Sequence, residues 1–167
     1  MAQKQRPNLS KRDDSRIVLV ALLCLACGLA DAAGFSPCLL KPADLAPVLG
    51  HLPLDGHPER DPLGVSMCVY EMKGESGRRF LVLVHPQSWD RKRFEQRVTL
   101  AEGSGMRKVH SVPGVGDAAF FVEGVAGTLA GQRYVELNGL KTAAVRQVQP
   151  DEVAALLKLA LERLPKS

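Results

Sequence analysis

The chain has 167 residues, which is room for one domain, and its formal net charge is +4. Residues 1–32 hold five Lys or Arg and three Asp or Glu, so the rest of the chain has 17 basic against 15 acidic side chains, a net charge of +2. Because aromatic residues make up only 5% of the chain and no basic face is concentrated in the sequence, this composition argues against a nucleic-acid-binding domain.

The chain opens with a basic, polar stretch that contains Lys4, Arg6, Lys11, Arg12 and Arg16. An apolar run of 14 residues follows at 17–30, and then the small-residue site Ala30-Asp31-Ala32. This order is typical of a secretory signal peptide, and the run is shorter than the roughly 18 residues that span a bilayer. We therefore predict a signal peptide at 1–32 and a single periplasmic or secreted domain at 33–167, with no membrane span after cleavage.

Two alternatives to cleavage after Ala32 stay open. Asp13 and Asp14 are unusual in a signal peptide's basic region and leave room for an uncleaved anchor. Leu25-Ala26-Cys27-Gly28 is half of a lipobox, although Cys24 stands where that motif has Leu. Processing there would anchor the protein by a lipid on Cys27.

The cysteine pair Cys38 and Cys68 lies outside the leader, and an even number of cysteines suits an oxidising compartment. We predict that the two form a disulfide, the alternative being two buried free thiols. The bridge would close a loop of 31 residues, for which loop-closure entropy gives a stabilisation of roughly 3–4 kcal/mol.

The first element is a predicted helix over Leu39–Leu49, with Pro42 and Asp44 in its first turn and Gly50 as its stop. Because Pro47 lacks a backbone donor, we expect this helix to be short or kinked.

An exposed loop is predicted for His51–Gly64, which is rich in proline, glycine and charge. Val65–Met72 and Arg79–His85 read as two strands joined by a hairpin at 73–77. A second helix follows, with Ser88 as its N-cap and Asp90 in its first turn.

Three more strands are predicted, at 118–122, Tyr134–Leu137 and Lys141–Gln147, the last two flanking an Asn-Gly dipeptide typical of a tight hairpin. The final helix has apolar residues at helical spacing between Pro150 and Pro165. The chain is therefore expected to have an α+β fold with a mainly antiparallel sheet of about five strands and three helices, in the order α-β-β-α-β-β-β-α.

The best candidate contact surface lies on the second helix, in Trp89, Arg91, Lys92, Arg93 and Arg97. It could meet an acidic partner, an anionic lipid or a polyanionic envelope polymer. The alternative is a plain solvated helix face.

Other reactive side chains form weaker patterns. His51, Asp55, His57, Glu59 and Asp61 share one loop but follow no fixed metal-ligand spacing, so neither a metal nor another cofactor is expected. Ser104 lacks the glycine two residues before it that a nucleophile elbow has. Gly114, Gly116 and Asp117 lead into a strand and not a helix, so we predict a structural turn there and no phosphate loop.

Residues 37–50, PCLLKPADLAPVLG, followed by Cys-Val-Tyr at 68–70, resemble small exported bacterial proteins and lipoproteins of unknown function, with their Cys-x-Leu-Leu helix and Cys-x-Tyr strand. Val112–Phe120 is similar to their Gly-x-Gly-Asp-x-Ala segment, and the final apolar helix to their closing helix. The resemblance implies a Cys38–Cys68 bridge in an α+β sheet domain, and it brings no catalytic residues.

The functional hypothesis is a non-enzymatic domain of the bacterial envelope that binds a protein or polymer through the second helix or an open sheet face. One alternative is an inhibitor of a secreted hydrolase acting through the 51–64 loop. The other is a weak or degenerate hydrolase that uses Ser104, His110 or Asp117.

Overall fold

The computed structural model describes residues 35–103, 108–140 and 148–165. Its elements, in chain order, are α1 (Pro42–Leu49), β1 (His57–Arg60), β2 (Ser66–Glu71), β3 (Arg79–Val84), α2 (Arg91–Glu102), β4 (His110–Ser111), β5 (Ala118–Val122), β6 (Val125–Ala130), β7 (Arg133–Asn138) and α3 (Pro150–Glu162). The strands form one sheet in the order β1-β2-β3-β7-β6-β5-β4, and every neighbouring pair is antiparallel.

The α+β class, the antiparallel sheet and the three helices of the prediction are confirmed. The strand count and the element order were wrong, because the described residues form seven strands in the order α-β-β-β-α-β-β-β-β-α. The strand predicted for 141–147 lies outside the described residues, as do Ser104 and the leader at 1–32.

Two of the strands that sequence reasoning missed break the apolar pattern on which it relied. All four residues of β1 are exposed, and it is an edge strand that pairs with β2. Its proline and charges are typical of such edges. β6 contains Gly127, where an added Cβ would lie 2.4 Å from the Tyr134 hydroxyl. Glycine usually weakens a strand, and here it makes space for an aromatic side chain of the neighbouring strand.

Proline and a carboxylate shape the start of α1 and of α3. Pro42 and Pro150 each occupy the first helical position, where no backbone donor is needed. The carboxylates of Asp44 and Glu152 accept hydrogen bonds from the backbone N–H of Lys41 and Gln149 at 2.7 and 2.9 Å. As expected, α1 is short, with eight residues and Pro47 inside it.

α2 begins two residues later than predicted. Its N-cap is Asp90 and not Ser88, because the Asp90 carboxylate accepts a 2.7 Å hydrogen bond from the Arg93 backbone N–H. The Trp89 backbone N–H donates instead to Gln132 O at 2.9 Å, which fixes the preceding turn to the β6–β7 hairpin.

One face of the sheet, here called the disulfide face, packs against α1 and α3. The strands and α3 cover it with apolar side chains that are almost fully buried: Tyr70, Phe80, Val82, Val135, Leu137, Val153, Leu157 and Ala160. The predicted Cys38–Cys68 bridge is present, with an S–S distance of 2.04 Å. The Tyr70 hydroxyl donates to Leu40 O, so the segment that precedes α1 is tied to β2 twice.

The opposite face, here called the α2 face, is covered over β5, β6 and β7 by α2 and by Trp89, which lies two residues before the helix. Its apolar cluster consists of Trp89, Phe94, Ala101, Phe120, Val122, Leu129 and Tyr134. None of the helices in the described ranges is both long and apolar enough to cross a membrane.

Candidate functional site

Three of the five residues predicted as a contact surface lie exposed in the first turn of α2. Arg91 donates to Glu95 at 2.9 Å across one helical turn, and Lys92 projects into solvent. Arg93 places its guanidinium 4.8 Å from the Trp89 ring centroid and donates to Gln87 Oε1 at 2.6 Å. This turn therefore presents three cations, of which Arg91 is neutralised by a neighbour and Arg93 is held by stacking.

Trp89 and Arg97, the other two predicted contact residues, belong to the interior of the α2 face. Trp89 is only 5% exposed and stacks on Tyr134 with ring centroids 3.9 Å apart. Arg97 donates two hydrogen bonds of 2.7 Å to the carboxylate of Glu136, which is 4% exposed. These two side chains hold α2 on the sheet, so the surface open to a partner is smaller than the sequence suggested.

A buried polar network surrounds this ion pair. The Tyr134 hydroxyl donates to Glu136 Oε2 at 2.8 Å, so the carboxylate is shared between a phenol and a guanidinium. The hydrogen bonds to the Glu136 carboxylate raise the pKa of Arg97, and burial raises the pKa of Tyr134. The guanidinium and the neutral phenol are both donors and the carboxylate accepts from both, so every group in the network has a partner.

His85 completes the packing of aromatic rings at the start of α2. Its ring centroid lies 5.0 Å from that of Trp89 and 5.1 Å from that of Tyr134. The three side chains are called the ring cluster below. Burial lowers the pKa of His85, because a charged imidazole would lose its hydration there.

A cleft of about 470 Å³ runs between α2 and the segment 111–120. Its buried or half-buried apolar lining includes Phe94, Val98 and Phe120, and its exposed polar lining includes Arg91 and Ser111. This volume is within the range of about 300–1,000 Å³ of ligand clefts, and an apolar cleft with a few polar groups is their usual character. The cationic first turn of α2 and this cleft are neighbours, since Arg91 belongs to both.

The predicted turn at Gly114, Gly116 and Asp117 forms one wall of the cleft. At Gly116, where φ is +55°, an added Cβ would lie 2.4 Å from Leu129 O. The Asp117 carboxylate accepts a 2.6 Å hydrogen bond from the backbone N–H of Gly131. The turn is thus fixed against β6 and its hairpin, and this use of Asp117 is structural.

The remaining candidate residues are spread over the surface. His51 pairs with Glu75 at 3.4 Å and His57 with Glu59 at 3.0 Å. Asp61 accepts hydrogen bonds from backbone N–H groups of its own loop, and Asp55 is exposed. Within the described ranges, no three side chains of His, Cys, Asp or Glu come together in a way that could hold a metal ion.

Sequence reasoning missed Glu136, Tyr134 and His85, which form the centre of the α2 face. One signal was available: Glu136 interrupts an apolar strand, where an unpaired carboxylate would be too costly to bury. Such a position requires a cation from another element, which Arg97 supplies from 39 residues away.

Comparison of the chain with protein-family models, curated proteins and solved structures finds no match. The cleft, the cations beside it and the contacts that position both are therefore the features that bear on function.

Proposed function

We propose that the protein is a non-enzymatic, exported binding domain that recognises an envelope protein or polymer at the cleft and the first turn of α2. The observation that carries this proposal is the cleft of about 470 Å³, with a mixed apolar and polar lining, whose rim includes Arg91 of the exposed cationic first turn of α2. The apolar part of such a lining takes an apolar group, and the cations of the neighbouring turn orient an acidic one.

The contacts of the titratable groups favour binding over catalysis. His85 is packed among aromatic rings, and Asp117 is occupied by a backbone N–H. His110 contacts the Phe121 ring with centroids 6.3 Å apart. A nucleophile needs a base within hydrogen-bond reach, and among the residues that the structure describes no serine hydroxyl is hydrogen-bonded to a histidine.

Export is the second part of the proposal. The Cys38–Cys68 bridge supports it, because disulfides persist in oxidising compartments such as the periplasm. Signal-peptide cleavage after Ala32 is the proposed processing, with lipidation at Cys27 as the alternative. The intact mass of the protein from its native host distinguishes the two: a chain that starts at residue 33 supports cleavage, and a lipid-sized increment on a chain starting at Cys27 supports the anchor.

The bridge also supports the proposed kinship with small exported bacterial proteins. It joins Cys38, the cysteine of the first motif, which lies four residues before α1, to Cys68 in the Cys-x-Tyr strand, and the resemblance depends on these two motifs.

The binding proposal is tested by site-specific cross-linking. A photo-reactive amino acid at Lys92 should trap an envelope component, whereas the same group at Lys158, an exposed lysine on α3, should not. The substitution Ser111→Trp, which fills the cleft, should abolish the product, and Ser76→Trp in the distant β2–β3 hairpin should leave it unchanged. Equal products from positions 92 and 158 would contradict the proposal.

An inhibitor of a secreted hydrolase is the second candidate, and exposed leucines favour it. Leu52, Leu54 and Leu63 are 61%, 46% and 80% exposed in the segment that carries β1. A contiguous exposed apolar patch marks an interaction site, and this second proposal places the three leucines in such a patch. Replacing Leu63 by Asp should then abolish inhibition of the target hydrolase, whereas filling the α2 cleft should not affect it.

A further inference from the structure

His85 is positioned by backbone and ring contacts at once. It directly follows β3, and its backbone N–H donates to Tyr134 O at 3.2 Å, which extends the β3–β7 pairing by one residue. Its ring then lies against Trp89 edge to face and against Tyr134. The imidazole is therefore part of the surface on which Trp89, the residue before the N-cap of α2, packs.

The Nε2 atom of His85 is buried and has no hydrogen-bond partner among the described residues. A neutral imidazole tolerates this position better, because the ring carries no charge and one of its two nitrogens is then an acceptor and not a donor. A protonated imidazole has N–H donors on both ring nitrogens. Burying a charged donor without an acceptor is far more costly than burying a neutral ring.

Charged groups from three elements face this imidazole. Glu136 on β7 and Asp61 in the β1–β2 connection favour a positive charge, and Arg93 and Arg97 on α2 oppose it. The Glu136 carboxylate is already matched by Arg97 and the Tyr134 hydroxyl. The two arginines offset the carboxylates, so desolvation decides the outcome and favours the neutral ring.

We propose that the start of α2 is an acid-sensitive latch: protonation of His85 expels the imidazole from the ring cluster and releases Trp89 and the first turn of α2 from the sheet. The covered aromatic face of Tyr134 is then open to solvent. This latch is a property of the fold and does not require the proposed binding function. If that function holds, acidification also displaces Arg91, Lys92 and Arg93, so partner binding weakens in acid.

The direction with pH follows from the lowered pKa of His85. A base whose pKa falls on folding binds its proton more readily in the open state. The closed latch is therefore fully stable above the ordinary histidine pKa of 6.5 and is lost as the pH falls below that value. Carboxylates titrate near pH 4, about two units lower, so the two kinds of transition are separable.

The chain contains a single tryptophan, so Trp89 reports on the latch directly. For the protein purified from its native host, tryptophan emission should shift to longer wavelength between about pH 7 and about pH 5. Hydrogen-exchange protection factors, which correct for the slower intrinsic exchange in acid, should fall over the same range in residues 88–97 and stay high in α3. The variants His85→Gln and His85→Phe should lose the shift, and His57→Gln, which removes an exposed imidazole, should keep it.

Several outcomes would overturn the latch. If the emission of the native protein does not change across this range, the latch does not open. If the shift persists in both His85 variants, protonation of His85 is not what opens it. A fall in the protection factors of α3 at the same pH means that the whole domain unfolds, and contradicts a latch confined to α2. If either variant fails to fold at neutral pH, NMR titration of the native protein decides: a His85 ring that titrates at or above its ordinary pKa of 6.5 contradicts the proposal.

Discussion

The two faces of the sheet hold their helices by different means. On the disulfide face, α3 buries Val153, Leu156, Leu157 and Ala160, and the Cys38–Cys68 bridge ties the segment before α1 to β2. On the α2 face, the helix buries only Phe94 and Ala101. The Trp89–Tyr134 stack and the Arg97–Glu136 ion pair also attach α2 to the sheet.

The attachment of α3 to the sheet is therefore independent of pH, whereas the attachment of α2 depends on it. Apolar burial and a covalent bridge do not depend on protonation. A buried ion pair does, and so does the half-buried His85 imidazole, whose Nε2 atom is buried without a partner among the described residues, because each is stable only in one protonation state. The helix that carries the proposed contact surface is therefore the one whose attachment responds to pH.

Breaking the ion pair on the α2 face should have the largest effect. Arg97→Met leaves the Glu136 carboxylate buried without a cation, and the expected loss of unfolding free energy is about 3–5 kcal/mol. The double variant Arg97→Met with Glu136→Gln should be more stable than the single one, because the amide has no charge to bury and can still accept from Tyr134. Urea unfolding at neutral pH measures both. If Arg97→Met lowers the free energy of unfolding by less than about 1 kcal/mol, the Arg97–Glu136 pair stabilises the protein no more than a surface ion pair, and the prediction is wrong.

Removing the bridge should cost slightly less and should spare the α2 face. Replacing both Cys38 and Cys68 by Ser frees a 31-residue loop, with an expected loss of roughly 3–4 kcal/mol. At neutral pH the Trp89 emission of the folded variant should match that of the native protein, since the ring cluster lies on the opposite face. A shifted emission would show that the two faces are coupled and not independent.

A matched pair of glycine substitutions compares the packing of the two faces. An added Cβ at Gly56 would lie 2.4 Å from Cys68 Sγ, and one at Gly127 would lie 2.4 Å from the Tyr134 hydroxyl. Each alanine variant should lose about 1–3 kcal/mol through overpacking. Only Gly127→Ala should change Trp89 emission, because it displaces the ring on which Trp89 stacks. The same emission change in Gly56→Ala would contradict this assignment.

The sequence predicted the elements that local chemistry dictates. Pro150, the acidic first turn and the apolar spacing define α3 without reference to the rest of the chain. The cysteine pair predicted the bridge. The signals for α3 are local in the sequence. The bridge was predictable because only two cysteines lie outside residues 1–32, so only one pairing is possible.

The missed features depend on residues far apart in the chain. β1 is a strand because β2 offers it an edge, and nothing in His-Pro-Glu-Arg predicts that. Trp89 and Arg97 read as surface residues because their partners, Tyr134 and Glu136, lie on a strand about forty residues later. Pairing across that distance was signalled only by the carboxylate at 136.

The smallest effect should come from the pair at the rim of the disulfide face, where the Arg163 guanidinium donates to Asp44 and to Leu39 O. Both side chains are partly exposed, at 33% and 20%, so Arg163→Ala should cost only about 0.5–1 kcal/mol. The hydrogen bond from Arg163 lowers the pKa of Asp44, so this contribution is present above the ordinary value of 3.8 and is lost as the pH falls below it.

The stability difference between the native protein and Arg163→Ala should therefore be constant through the range in which His85 titrates and shrink only in stronger acid. Urea unfolding of both proteins at a series of pH values measures it. Arg133→Ala is the control, because among the described residues Arg133 donates to a backbone carbonyl, that of Pro165, and not to a carboxylate. A difference that disappears near the histidine pKa instead would mean that the disulfide face responds to the same proton as α2. The two faces would then act as one pH-dependent unit, and the latch would not be confined to α2.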